Sequence, residues 1–118
     1  DLSLGLSARE INDKIQTFIE MVHQKFPSTI IFSISIKPSF ERQDLLKVIQ
    51  QINQGTFALS MQLPYLYQIQ LYEELLDENQ QIRSDVLLRD GLHLNKLGYQ
   101  ILKSQVKKSL EKHLSESD

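Results

Sequence analysis

The sequence contains no cysteine and no tryptophan, and its 118 residues include only four glycines and three prolines. Without cysteine the chain forms no disulfide and offers no thiolate to a metal, and the redox state of its compartment stays open. No run of about 18 apolar residues occurs, so no membrane span is predicted. The first residues lack the basic and apolar segments of a secretory signal peptide. The cellular location of the protein is therefore undetermined, although the cytoplasm is slightly favoured.

Neither positive nor negative charge is concentrated in one part of the chain. The 13 Lys and Arg residues are mixed with 15 Asp and Glu residues, for a net charge of −2. Nucleic acid binding normally needs a dense basic patch, and the lysines of "KSQVKKSLEKH" are typical of a solvated helix face. Nucleic acid is therefore not an expected partner. With 41% hydrophobic and 24% charged residues, the composition indicates one globular domain with a single core.

Three helices and two strands are predicted along the chain. Ser7 and Glu10 form the ends of a capping box that opens the first helix, which Pro27 closes. The uncharged β-branched run "TIIFSISI" predicts a buried strand at 29–36, and "YLYQIQ" predicts a second strand at 65–70. Between them a helix is expected at about 42–60, and a last helix runs from Asn95 to about His113. The residues expected to face inward on the three helices are Ile11, Ile15, Phe18, Ile19 and Val22, then Leu45, Leu46, Ile49, Ile52 and Phe57, then Tyr99, Leu102, Val106, Leu110 and Leu114.

The alternation of these elements determines the predicted fold class. Strands joined by a helical crossover of this length pair in parallel, so the chain is α/β, with a parallel sheet flanked by helices. Two strands alone leave sheet edges and apolar faces uncovered. We therefore expect the sheet to be incomplete, with further strands upstream of Asp1, which is not the Met that begins a complete chain.

The stretch "LLRDGLHLNKLGY" at 87–99 places Asp90 and His93 three residues apart, around Gly91. Two interpretations give them no function. Asp-Gly between apolar residues is typical of a type I′ hairpin turn, and a histidine in a loop can also be incidental. A third interpretation is functional, because an aspartate on a turn can orient the imidazole of a nearby histidine. A serine hydrolase needs that arrangement, with the histidine as general base.

The context of these residues resembles a known family. "DGLHLNKLGYQIL" is similar to the last conserved block of the SGNH hydrolases, the GDSL-like esterases and lipases. "DLSLGLSAREI" is similar to the segment that begins at the end of their G-x-N-D block, with Asp1 as the aspartate of that block. "KFPSTIIFSISIKP" and "PYLYQIQLY" resemble the next two strands. The resemblance covers nearly the whole chain. It implies a flavodoxin-like three-layer α/β/α fold.

The resemblance also implies a function and a division of the domain. Asp90 and His93 would be the carboxylate and base of a Ser-His-Asp triad that hydrolyses acetyl or short acyl esters. Residues 1–118 would be the C-terminal part of a single domain, whose N-terminal part carries the nucleophilic Ser, the oxyanion-hole Gly and the Asn. Gln68 and Gln70 stand where the family often has an Asp, a difference to which we attach no catalytic meaning.

No other residue is a stronger catalytic candidate. Ser33 and Ser35 are expected to be structural hydroxyls of a strand, and Ser39 lacks the glycine context of a nucleophile elbow. His23 and His113 lie near helix C-termini, where a partly charged ring is favourable. No metal-ligand spacing and no cofactor motif is present, so neither a metal nor a cofactor is expected.

Two other functions stay open beside ester hydrolysis. One is an inactive module of the same fold that binds a carbohydrate, a lipid ester or a partner protein. The other is an unrelated flavodoxin-like receiver or binding domain, against which the absence of a Gly-rich phosphate loop counts.

Overall fold

Helix α1 spans Ala8–Lys25 and begins at the predicted capping box. In the computed structural model, which describes residues 7–40 and 42–116, Ser7 Oγ accepts from the Glu10 amide and Glu10 accepts from the Ser7 amide, both at 3.2 Å. Ile11 and Ile19 are buried as predicted. Phe18 is 64% exposed, so its predicted inward position is wrong. The assignment of Asp1 lies outside the described residues.

The two predicted strands pair in parallel, as expected. Strand β1 is Ile31–Ile34 and strand β2 is Leu66–Ile69, with Ile31 opposite Leu66. Both are shorter than the predicted strands at 29–36 and 65–70. The fold is mixed α/β, with a short parallel sheet flanked by helices. The predicted fold class is therefore confirmed.

Helix α2 spans Leu46–Gln62, after a 3-10 turn at Gln43–Leu45. Ile49 and Ile52 are almost fully buried, whereas Phe57 is 46% exposed and does not face inward as predicted. The helix continues through Gly55, which lies against the Asn12 side chain of α1: a Cβ on Gly55 would lie 2.1 Å from Asn12 Nδ2. The crossover helix is thus packed against both α1 and the sheet.

Helix α3 spans Lys96–Glu116 and packs on the opposite face of β2 from α2. Gln68 Nε2 donates to Thr56 on α2, while Tyr67 OH donates to Glu116 on α3. Adjacent strand residues point to opposite sheet faces, so the two helices form separate layers. None of the helices in the described residues is long and apolar enough to cross a membrane.

The buried face of α3 differs from the predicted one. Gly98 and Gln105 are its buried residues, whereas Tyr99 and Leu110 are 58% and 45% exposed, and Leu114 is exposed too. Leu102 and Val106 are half-buried and Leu102 packs on the core, so the buried face overlaps the predicted one there and is shifted away from Tyr99 and Leu110. The helix packs against an apolar core formed by the segment that connects β2 to α3, which consists of Leu71, Leu75, Ile82, Val86, Leu87 and Leu94. This core supports the loop that precedes α3.

Candidate active site

Asp90 and His93 lie on a tight loop, residues 87–95, that leads into α3. Leu87 and Leu94 close the loop as one isolated antiparallel bridge. The Leu88 amide donates to the His93 carbonyl at 2.8 Å, and Gly91 has a φ of 67°, in the left-handed region that glycine adopts without strain. The hairpin interpretation predicted a strand on each side of the turn. In the described residues neither side of the loop is a strand, and the single bridge is the only hairpin-like pairing.

The two side chains predicted to be catalytic are in direct contact. His93 Nδ1 lies 2.5 Å from Asp90 Oδ2. The other carboxylate oxygen, Oδ1, accepts from the amides of Leu92 and His93 at 2.9 and 3.0 Å. The aspartate therefore orients the imidazole and also holds the backbone of the loop.

The protonation state of this pair follows from its hydrogen bonds. The hydrogen bond with the His93 ring, and then those from the amides of Leu92 and His93, lower the pKa of Asp90 from 3.8 to about 2. Because the ionised carboxylate only accepts hydrogen bonds, the proton of a neutral His93 ring lies on Nδ1. The lone pair is then on Nε2, the atom that a general base needs. The His93 side chain is 65% exposed and the Asp90 side chain 45% exposed, so the pair is open to a reactant.

The segment that follows β1 holds the loop in place. Phe40 donates its amide to the Gly91 carbonyl at 2.8 Å, and Lys37 Nζ donates to the Leu92 carbonyl. The pair thus sits at the carboxyl end of β1, where ligand sites of open α/β sheets lie. Lys37 was not among the site residues predicted from the sequence. Its position after a parallel strand was the available signal.

Asn95 connects the loop to α3. Its Oδ1 accepts from the Gly98 amide at 2.9 Å, the N-cap bond that the sequence predicted. Its Nδ2 donates to the Asp85 carbonyl at 2.8 Å. Gly98 lets the helix approach closely, because a Cβ there would lie 2.5 Å from the Val86 carbonyl oxygen.

The remaining candidates have structural environments. Ser35 Oγ accepts from the amides of Leu71 and Tyr72, and the fully buried Ser39 accepts from the Arg42 amide. His23 stacks on Tyr65, with 3.6 Å between ring centroids. Across residues 7–40 and 42–116, no three His, Asp or Glu side chains are grouped to hold a metal ion.

A cleft of about 580 Å³ adjoins the loop. Phe40 and Leu88, which are each about half exposed, line it together with Asp90 and Gly91. The surface beside the pair is therefore partly apolar, and the charged side chains of Asp90 and Arg89 lie in its lining.

No protein-family model matches the chain, and no curated protein matches it. Solved structures do match. A protein from Streptococcus pneumoniae, described as a candidate platelet activating factor, has a TM-score of 0.73 and 26% identity over 88% of this chain and 52% of that one. The esterase domain of the ORF1 protein from the zebrafish ZfL2-1 retrotransposon has a TM-score of 0.74 and 17% identity, over 92% of this chain and 66% of that domain.

The chain thus spans about half to two thirds of the length of these two structures. Over that length it has the fold of SGNH-type esterases, as the sequence resemblance implied.

Proposed function

We propose that this chain supplies the aspartate and the histidine of a Ser-His-Asp esterase. The observation that carries the proposal is the 2.5 Å contact between Asp90 Oδ2 and His93 Nδ1, in a chain with an esterase fold. Two features support it further: the position of the pair at the carboxyl end of β1, and the exposure of the imidazole.

Each residue has a defined part in the proposed reaction. His93 Nε2 takes the proton of the serine hydroxyl as its oxygen attacks the ester carbonyl. The same nitrogen then gives the proton to the leaving alcohol, and water releases the acyl group by the same two proton transfers. Asp90 keeps the ring in the required tautomer and stabilises its charged form during each transfer.

The proposal also assigns the chain its part of the domain. Residues 1–118 are the C-terminal part of a single SGNH-type domain, and the serine nucleophile and oxyanion donors belong to its N-terminal part. The 52% and 66% coverage of the two solved structures and the two-stranded sheet support this division. The substrate is a small acetyl or short acyl ester, for which the partly apolar cleft beside Asp90 offers room.

The test is the activity of the full-length protein on p-nitrophenyl acetate, with the variants His93→Ala and Asp90→Asn. Loss of the base should lower kcat/KM about 10³-fold or more, and Asp90→Asn should cost a similar or somewhat smaller factor. Thermal melts should change little, because the His93 ring is largely exposed and an asparagine at position 90 can still accept from the Leu92 and His93 amides. Asp44→Asn, an exposed carboxylate on the turn before α2, is the matched control and should keep full activity.

Two outcomes would contradict the proposal. Wild-type activity in His93→Ala would remove the histidine from the mechanism. If the variants lose activity and melting temperature together, the role of Asp90 and His93 is structural instead. The 118-residue chain by itself should cleave the ester no faster than its own His93→Ala variant, since it lacks the proposed nucleophile.

A further inference from the structure

A second cavity, of about 630 Å³, lies between α2, the end of β2 and the loop after β2. Its ten lining residues do not include Asp90 or His93, and among them are five glutamines and one asparagine. Side-chain amides both donate and accept hydrogen bonds. A lining of this kind suits a ligand whose groups do the same.

Some of these amides bond to other groups of the protein, and they define the floor of the cavity. Gln68 Nε2 donates to the Asn53 carbonyl and to Thr56 Oγ1, and its Oε1 accepts from Gln70 Nε2 at 2.7 Å. Gln50 Nε2 donates to Tyr72 OH at 3.1 Å. Hydrogen bonds therefore orient the Gln68 and Gln70 amides in one network, and the Gln50 amide in a separate pair with Tyr72.

Other polar groups in the lining are available to a ligand. Within residues 7–40 and 42–116, the Gln54 and Gln80 side chains make no hydrogen bond, and the Oε1 atoms of Gln50 and Gln70 accept none. Gln80 has a φ of 64°, a conformation uncommon for a residue with a side chain. Asp77, whose side chain accepts from the Asn79 and Gln81 amides, holds the turn that carries it.

The charge of the lining excludes one class of ligand. Glu73 is the one ionisable acid of the lining, and the lining contains no Lys, Arg or His. An anionic ligand would meet repulsion without a compensating cation. A neutral ligand with hydroxyl groups can instead donate to the Glu73 carboxylate and bond to the amides.

An aromatic ring completes the site. Phe57 lines the cavity and is 46% exposed, although it lies on a helix with a buried face. A half-exposed ring beside oriented amides can stack on the apolar face of a sugar ring, while the amides bond to the hydroxyls. A purely apolar ligand would leave the free amides of Gln54 and Gln80 unpaired.

From this lining we infer that the cavity between α2 and β2 binds a neutral saccharide. The inference does not depend on esterase activity, because the cavity shares no lining residue with the cleft beside Asp90. Phe57 supplies the stacking surface, Gln54 and Gln80 bond to hydroxyls, and Glu73 accepts from one of them.

The test is a titration of the ¹⁵N-labelled full-length protein with triacetylchitotriose and with maltotriose, followed by ¹H–¹⁵N NMR. At least one trisaccharide should shift the amides around the cavity, with a dissociation constant of about 1 mM or below. Phe57→Ala should weaken binding about fivefold or more. Phe18→Ala, an exposed aromatic on α1 outside the cavity, should leave it unchanged.

A second variant covers the case in which Phe57→Ala does not fold. Gln54→Ala changes an exposed side chain with no hydrogen bond in the described structure, and it should also weaken binding. Inorganic phosphate at equal concentration should shift none of these amides. The inference is overturned if neither trisaccharide shifts the cavity amides at about 20 mM, if phosphate shifts them equally, or if both cavity variants bind like the wild type.

Discussion

The carboxylate of Asp90 makes three hydrogen bonds within three residues of itself, and this local arrangement determines its chemistry. Two bonds come from backbone amides and one is shared with the His93 ring. They stabilise the ionised form and lower the pKa of Asp90 to about 2. An ionised aspartate can hold a neutral imidazole in one tautomer before any substrate arrives.

Titration of the Asp90 carboxyl tests this arrangement in the 118-residue chain. The ¹³C carboxyl resonance should show a midpoint near 2, and His93→Ala should raise it toward 3.8. Since the pKa is lowered in the folded state, the stabilisation is complete above pH 3.8 and is lost as the pH falls through about 2. Asp85, whose pKa Arg83 lowers, is the control and should not respond to His93→Ala. A wild-type midpoint at 3.8 would contradict the observed contact.

At the scale of elements, the start of α3 is fitted closely to the loop that carries the pair. Asn95 caps the helix and bonds back to the Asp85 carbonyl, and the helix approaches Val86 at Gly98. These contacts set the direction in which the loop leaves the core. The helix N-terminus and the Asp90–His93 pair therefore form one structural unit.

Gly98→Ala tests the close approach. In an open helix this change is stabilising by about 1 kcal/mol. Here the new Cβ would lie 2.5 Å from a backbone oxygen and 2.9 Å from Leu94 Cδ2, so we expect a loss of about 1–3 kcal/mol. Thermal unfolding should show a fall of at least about 4 °C. Ser104→Ala on the exposed side of α3 should leave the melting temperature nearly unchanged. A higher melting temperature in Gly98→Ala would contradict the close approach of Gly98 to the Val86 carbonyl.

At the scale of the whole molecule, the chain is less compact than a domain of its length. Its radius of gyration is 15.1 Å, whereas about 13.5 Å is expected for 118 residues. Large apolar side chains are exposed on all three helices, among them Phe18, Met61 and Leu114. These exposed faces accord with the proposal that the sheet is completed by an N-terminal part.

The position of the core makes a prediction about stability. Leu75 is fully buried in the core formed by the segment that connects β2 to α3, whereas Leu110, a predicted core residue of α3, is 45% exposed. Leu75→Ala should lower the free energy of unfolding by about 2–5 kcal/mol. Leu110→Ala should change it by about 0.5 kcal/mol or less. Urea denaturation of both variants measures these free energies. If the two variants lost equal stability, Leu110 would be a core residue, as the sequence predicted.

Much of the local structure was predictable from the sequence. The capping box at Ser7, the N-cap at Asn95, the parallel strands and the contact of Asp90 with His93 all depend on residues close in sequence or on strongly patterned segments. Such interactions form wherever the backbone allows them, so the pattern alone is enough to predict them.

Only the tertiary structure decided which faces are buried and which distant residues meet. The buried face of α3 includes Gly98 and Gln105, one without a side chain and one polar, so hydropathy pointed to a neighbouring face. Phe57 lines a cavity that lies between α2 and the segment after β2, beside several glutamine side chains. Lys37 reaches the carbonyl of Leu92, 55 residues away. Contacts over such separations depend on how whole elements pack, and no local pattern encodes them.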